Sequence, residues 1–253
     1  MRILFIGDIF GKAGIEMLEA TLPELKATYQ PNLIIANAEN AASGRGITQD
    51  QYKTMMTMGI HVLTMGNWVW GNKELFAFLE DANIVRPVNY PDAPGKGYQV
   101  LNYNNKRILV INALGRTFMN PNLDCPFTRT SQVLDTVEAD VVFIDFHAEA
   151  TSEKIAFAHV FDGRVDVIVG THTHVQTADN RRLPKGTLYI TDVGMTGPLE
   201  GVIGVQKEIV IERFTKGYST YNKTASGPRQ LNAVIIDLVQ HTMERIQRFM
   251  AHD

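Results

Sequence analysis

The sequence predicts an α/β fold with a mixed sheet, and three observations carry the prediction. Short β-branched apolar runs recur along the chain and stop at glycine or polar residues, as buried strands do. Segments with apolar residues at helical spacing lie between them. Tyr98–Tyr103 and Arg107–Asn112, joined across Asn104-Asn105-Lys106, read as a hairpin, which sets an antiparallel pair among the strands. The 253 residues fit one large domain spanning 1–253, either a single sheet or a two-sheet sandwich, with no internal repeat or linker to divide it.

In order, Arg2–Gly7 reads as a first buried strand with Asp8 at its exit. Ile15 to Tyr29 carries Ile15, Leu18, Leu22 and Leu25 at helical spacing, and Pro31 blocks continuation. Leu33–Ala36 is a second strand, leaving through Asn37-Ala38-Glu39-Asn40. Thr48 is placed to cap a helix through Met56 that closes at Gly59. His61–Met65 is a third strand, exiting through Gly66-Asn67-Trp68. Asn72 precedes a helix over 73–81, and Pro87–Gly97 has no periodicity.

After the hairpin, Gly115–Arg129 reads as a long loop, of the kind often given to function or assembly. Val141–Asp145 is a strand with His147 at its exit, and a helix follows over Ser152–Phe161. Val165–Val169 is a strand ending in Gly170-Thr171-His172-Thr173-His174. Two histidines spaced i, i+2 in extended backbone would project to the same side. Strand Thr187–Thr191 leaves through Asp192-Val193-Gly194. A short helix near Val205–Phe214 and a strand Leu231–Val239 follow, and Thr242–Met250 is compatible with helix or edge strand.

Composition narrows the function classes. With 45% hydrophobic and 20% charged residues, the chain has the balance of a soluble globular protein with a sizeable core. A net charge of −3 without a block of Lys or Arg argues against a nucleic-acid track or an anionic membrane surface, and leaves a small phosphorylated ligand open. No apolar run approaches the roughly 18 residues of a membrane span, and Met1 to Asp8 turns polar too soon for a signal peptide, so a cytoplasmic location is expected. The only cysteine, Cys125, offers neither disulfide nor thiolate cage and is read as a reduced loop residue.

The strand exits then align. Asp8, Glu39 with Asn40, Asn67, His147, and His172 with His174 each follow an apolar strand within a few residues. The carboxyl ends of strands are where open α/β sheets gather reactive groups. Carboxylates, amide oxygens and three imidazoles suit Mn, Fe or Zn, and the lack of thiolates argues against a structural zinc site. Seven ligands exceed one tetrahedral ion but suffice for two ions sharing a carboxylate. Such a pair, about 3.5–4 Å apart, can hold a hydroxide and neutralise a phosphoryl oxygen, so phosphoester hydrolysis is the reaction expected.

The runs Gly7-Asp8, Asn37-Ala38-Glu39-Asn40, Gly66-Asn67, Asp145 to Lys154, Gly170 to Asp179 and Thr191 to Gly197 closely resemble the YmdB-like family of bacterial calcineurin-like metallophosphoesterases, over essentially the whole chain. The resemblance implies an αββα sandwich of two mixed sheets flanked by helices, two metal ions (Fe or Mn, with Zn an alternative), hydrolysis of 2′,3′- or 3′,5′-cyclic nucleotides, and a homo-oligomer. It assigns one ion to Asp8, Glu39, Asn40 and His174, and the other to Asn67, His147, His172 and the bridging Glu39. Thr171 and Thr173 then serve as spacers.

One position departs from the family pattern. Trp68 stands where the family has the histidine that protonates the leaving oxygen, and an indole cannot exchange a proton near neutral pH. Three readings follow: a phosphodiesterase impaired on ribose leaving groups, a metal-bound regulatory protein that binds nucleotide with little turnover, and, weakest, a barrel amidohydrolase using the His-x-His pair. Trp68 could stack on a base or pack as a lid against Trp70. Glu149 is an alternative donor. Of the loop cations Arg45, Arg86 and Arg116, the last is the best placed for phosphate. His61 and His159 are read as structural, and His241 and His252 as uninformative.

Overall fold

The computed structural model describes residues 1–218 and 221–251; His252 lies outside them. The strands are β1 (Arg2–Ile6), β2 (Asp8–Ile9), β3 (Leu33–Asn37), β4 (Val62–Thr64), β5 (Ile84–Val85), β6 (Tyr98–Tyr103), β7 (Lys106–Leu114), β8 (Val141–His147), β9 (Val167–Thr171), β10 (Arg181–Arg182), β11 (Leu188–Ile190), β12 (Met195–Pro198), β13 (Gly201–Val202), β14 (Val205–Gln206), β15 (Arg229–Asp237) and β16 (Thr242–Met250). The α-helices are α1 (Gly11–Tyr29), α2 (Gln49–Thr57), α3 (Pro126–Thr136), α4 (Thr151–Phe161) and α5 (Lys207–Lys216).

Two mixed sheets result. One runs β2-β12-β15-β1-β3-β4-β5 with β16 on β15, and the other β10-β11-β9-β8-β7-β6. Strand periodicity explains how they stack. Ile3, Phe5, Leu33 and Ile35 point to one side and meet Val110, Phe143, Val167 and Val169 of the second sheet. Leu4, Ile6 and Ile34 point the other way, onto Met17, Leu18 and Leu22 of α1. The outer face of the second sheet packs Ile144, Phe146 and Ile168 on Phe157, Ala158 and Phe161 of α4. Each sheet is thus buried on both faces, which is why its central strands read as continuous apolar runs. The four layers make the expected αββα sandwich. Both sheets are open, so the barrel reading is overturned.

Local signals account for most element ends. Thr48 closes a capping box with Gln51 at the start of α2, worth about 1 kcal/mol. Gln30 ends α1 in the left-handed conformation just before Pro31. Thr242–Met250 is a strand, because nine residues of β15 offer it a full antiparallel ladder. Two expectations shift: residues 73–77 form a 3-10 helix, shorter than the helix predicted over 73–81, and α3 begins at Pro126 inside the predicted loop. Proline supplies the helical φ of that first turn and lacks an N–H that would need a partner. Among the described residues, no helix is long and apolar enough to cross a membrane.

Candidate metal centre

Both sheets send their parallel strands to the same end. Asp8, Glu39, Asn40 and Asn67 leave β1, β3 and β4 of one sheet, while His147, His172 and His174 come from β8 and β9 of the other. Four donor atoms converge. His147 Nε2 lies 3.0 Å from Glu39 Oε1, 3.1 Å from Asn67 Oδ1 and 3.0 Å from His172 Nδ1. Beside them His174 Nε2 faces Asn40 Oδ1 at 3.1 Å. Asp8 reaches the group through Oδ2, which accepts from the His172 N–H at 3.2 Å. Its other oxygen, Oδ1, is buried with no hydrogen-bond partner.

Each imidazole has its outward nitrogen occupied. His147 Nδ1 donates to Thr171 Oγ1 at 2.8 Å, since that hydroxyl spends its own proton on Asp145 Oδ1 at 2.7 Å. His174 Nδ1 donates to the Ile203 carbonyl at 2.9 Å, and His172 Nε2 pairs with Glu149 Oε2 at 2.9 Å. Asn40 is oriented by its Nδ2 donating to the Gly44 carbonyl, so its oxygen faces His174. The inward imidazole nitrogens, the Asn40 and Asn67 oxygens and the Glu39 carboxylate thus form a compact donor set of the type that holds a divalent cation, which would displace the proton that His147 shares with Glu39. Spacings near 3.0 Å match neighbouring ligands of an ion with bonds of about 2.1 Å.

The charges agree. Asp8 is pushed well above the carboxylate range by burial and by the nearby Asp192, Glu39 and Asp145, with His147 opposing. Glu39 resists the same burial and stays below its ordinary value, because His147 and the Trp68 N–H hold its charge. Burial works against a charged His147, yet the carboxylates of Glu39, Asp8 and Asp145 raise it to about 9. His172 falls to about 3 through burial and the neighbouring His147, and His174 is lowered chiefly by burial. A buried carboxylate oxygen with no partner costs about 1–3 kcal/mol or more, which a divalent ion would remove.

The backbone is shaped for this cluster. At Gly66 a Cβ would strike Glu39 Oε2 and come within 2.5 Å of His147 Nε2, so only glycine leaves room. His172 and His174 take φ of 104° and 64°, outside the extended region. The extended-pair expectation is thereby corrected: β9 ends at Thr171, and the chain coils so that the two rings reach different partners. Beneath the loop, buried Lys154 joins Asp192 at 2.7 Å and the Thr171 carbonyl at 2.7 Å, while Asp192 accepts from the Thr173 and Gly194 amides. Lys154 and Asp192 were missed as supports. Their only sequence signal is a Lys in a helix and an Asp at a strand exit, with no spacing that links them.

Thr171 is not the spacer it was expected to be, because it connects His147 to Asp145. Thr171→Val keeps shape and removes both bonds. It is expected to weaken metal affinity about 10–100-fold with the fold intact, as measured by metal titration alongside circular dichroism.

Above the cluster opens a cleft of 390 Å³, lined among others by Glu39, Arg45, Trp68, Glu149, His172 and Lys223. The Trp68 amide donates to Glu39 Oε2 at 3.0 Å, and the Arg45 guanidinium lies 4.3 Å from the centre of its ring. The lid reading pairing Trp68 with Trp70 does not hold, since Trp70 stacks on Phe76 and meets Tyr90 edge-on. The preference for Arg116 is also corrected: its backbone amide bonds Glu153 and its side chain does not line the cleft, whereas Arg45 does. Arg86 lines a different cavity. His61 accepts from the Ile34 amide, and His159 is exposed on α4, so neither belongs to the cluster. Cys125 sits at the start of α3, apart from it.

Three comparisons place this geometry among known proteins. The sequence profile described as YmdB-like protein matches residues 4–249. A 2′,3′-cyclic-nucleotide 2′-phosphodiesterase of Bacillus subtilis is 47% identical over 259 residues, covering 100% of this chain and 98% of its own length. The crystal structure of a novel phosphatase of Mycoplasma pneumoniae superposes with a TM-score of 0.92 at 36% identity, covering 100% of this chain and 94% of that one. The NAD nucleotidase of Haemophilus influenzae, at 14% identity and TM-score 0.60 over 100% of this chain and 55% of its own, shares the fold.

Proposed function

Because the chain belongs to the YmdB-like protein family, we infer that it is a metal-dependent phosphodiesterase, and we propose that it acts on 2′,3′- or 3′,5′-cyclic nucleotides or similarly small phosphodiesters. The observation that carries this reading is the convergence of Glu39, Asn67, His147 and His172 on one point beneath the cleft. We assign Glu39 as the shared ligand of two ions, with Asp8, Asn40 and His174 completing one set and Asn67, His147 and His172 the other. Imidazole and oxygen donors favour Fe or Mn, with Zn an alternative. Divalent ions bound there would supply Lewis acidity and a water of lowered pKa.

The protein's own groups do the rest. Arg45 and Lys223, at the mouth, attract the diester phosphate and neutralise part of its charge. Thr171, Glu149 and the Ile203 carbonyl hold the three rings so that Nε2 of His147 and His174 and Nδ1 of His172 face inward. Asp145, buried, is held by Thr64 and Asn37 and completes the support of His147. Among the described residues the imidazoles lining the cleft are His172 and His174, both turned to ligand positions, and no other histidine there takes the donor role that Trp68 cannot fill. A ribose alkoxide, which needs a proton as it leaves, is disfavoured relative to an aryl oxide. A cytoplasmic, homo-oligomeric enzyme is consistent with the lone cysteine and with the family.

The test is hydrolysis of 2′,3′- and 3′,5′-cyclic nucleotides and of an aryl phosphodiester by protein loaded with Mn, Fe or Zn. Turnover of the aryl ester alone means an intact metal centre without its acid. Tight nucleotide binding with no turnover of any substrate would instead support the regulatory reading, which the Arg45–Trp68 stack across the cleft favours. Metal also reports through stability. An ion present at 100 times its dissociation constant adds about 2.7 kcal/mol, which for a chain of this size raises Tm by about 5–10 °C and is reversed by a chelator. An unchanged Tm would count against the assigned ligands.

A further inference from the structure

A cavity of 730 Å³ lies away from the metal cleft and shares none of its lining residues. It runs between the edge strand β6 and α3. Its charged lining residues are Arg86, Lys96 and Arg129, and no acidic side chain lines it. On a chain of net charge −3 that concentration of positive charge is local.

Arg86 is the central observation. It is only 9% exposed, and its guanidinium donates to three neutral carbonyls: Nε to Pro94 at 3.0 Å, Nη1 to Pro87 at 2.8 Å and Nη2 to Ala93 at 2.7 Å. Among the described residues it makes no salt bridge, and two of its five N–H donors have no partner. Arg129 donates from Nη1 to Gln132 Oε1 at 3.2 Å and forms a long ion pair with Asp124 at 3.8 Å, and its buried Nε has no hydrogen bond. Lys96 is exposed and unpaired among the described residues. A buried cation is ordinarily matched by an anion. Burial and then the Arg129 charge lower the Arg86 pKa, with Glu80 opposing.

We propose that this groove is a second ligand site, recognising the phosphate of a small phosphorylated compound through Arg86, Lys96 and Arg129, with the exposed Tyr98 ring as a surface for a planar group. The volume falls within the range of about 300–1,000 Å³ typical of small-ligand sites. Guanidinium forks fit phosphate oxygens, and a ring on an aromatic face adds to them. The site is independent of the chemistry assigned to the metal centre.

Amide NMR spectra of the full zinc-loaded protein, titrated with inorganic phosphate, AMP and adenosine, test this. The amides of 95–100 and 129–136 are expected to shift saturably with phosphate and with AMP, as a set distinct from 170–174, and not with adenosine. AMP binding tighter than phosphate assigns the ligand to phosphorylated ring compounds; equal affinities assign it to the free anion class. Lys96→Ala combined with Arg129→Ala, both at accessible side chains, is expected to weaken binding at least about tenfold, equivalent to about 1.4 kcal/mol. Aryl phosphodiester hydrolysis should be unchanged. Shifts confined to 170–174, equal binding of adenosine, no saturation below about 10 mM, or insensitivity to the double substitution would each overturn the site. Loss of hydrolysis with the groove shifts intact would bear only on the metal centre.

Discussion

Glu39→Gln is expected to reduce phosphodiester hydrolysis by more than about 10³-fold, since a metal's charge stabilisation of several kcal/mol corresponds to three or more decades in rate. The substitution is nearly isosteric. It keeps an oxygen for the Trp68 amide and removes the charge of the carboxylate we assign as shared by two ions. Metal content, measured by elemental analysis after gel filtration, should fall from two ions per chain to one or none, while circular dichroism and the αββα core stay as they are. Retention of two ions and of turnover would show that Glu39 is not the bridge. The two readouts separate a lost ligand from an unfolded protein.

Trp68→His is expected to raise the rate on cyclic nucleotides by about 10²–10⁴-fold and to leave an activated aryl diester nearly unaffected, because general acid catalysis matters most for poor leaving groups. The position is suited to the exchange. Its backbone amide is fixed on Glu39 Oε2 at 3.0 Å, so a new imidazole would project from the same anchored point over the cleft. Arg45 loses its aromatic platform in the process, and its effect on phosphate binding can be read separately from KM. An unchanged or lower cyclic-nucleotide rate, with metals still bound, would mean that Trp68 is fitted to another substrate or that another donor operates.

How far the sequence could be read depended on the range of the interaction. Strand and helix identities were legible because burial on both sheet faces forces continuous apolar runs, and because Thr48, Pro31 and Gly59 act on their own neighbours. Thr242–Met250 was ambiguous because its buried Met243 and Ile246 are three residues apart, a spacing helix and strand both allow, and only the partner β15 supplies a ladder. The 3-10 turn at 73–77 was overcalled for a similar reason: Leu75, Phe76 and Leu79 have helical spacing, but the run is too short to hold α-geometry there.

By itself the sequence determined the α/β class, the strand exits and the chemical types gathered at them, since a polar residue at the end of an apolar strand is a local fact. It also placed Trp68 at the exit of the third strand. Only the tertiary structure decided that two sheets, not one, supply the clustered donor groups, that Thr171 and Asp145 support His147, that Lys154 and Asp192 brace the histidine loop, and that Arg45 rather than Arg116 reaches the cleft. Those contacts join residues 17 or more positions apart, or depend on left-handed φ at His172 and His174, which no periodicity encodes. Periodicity reports which face of an element is buried; it cannot report which other element buries it.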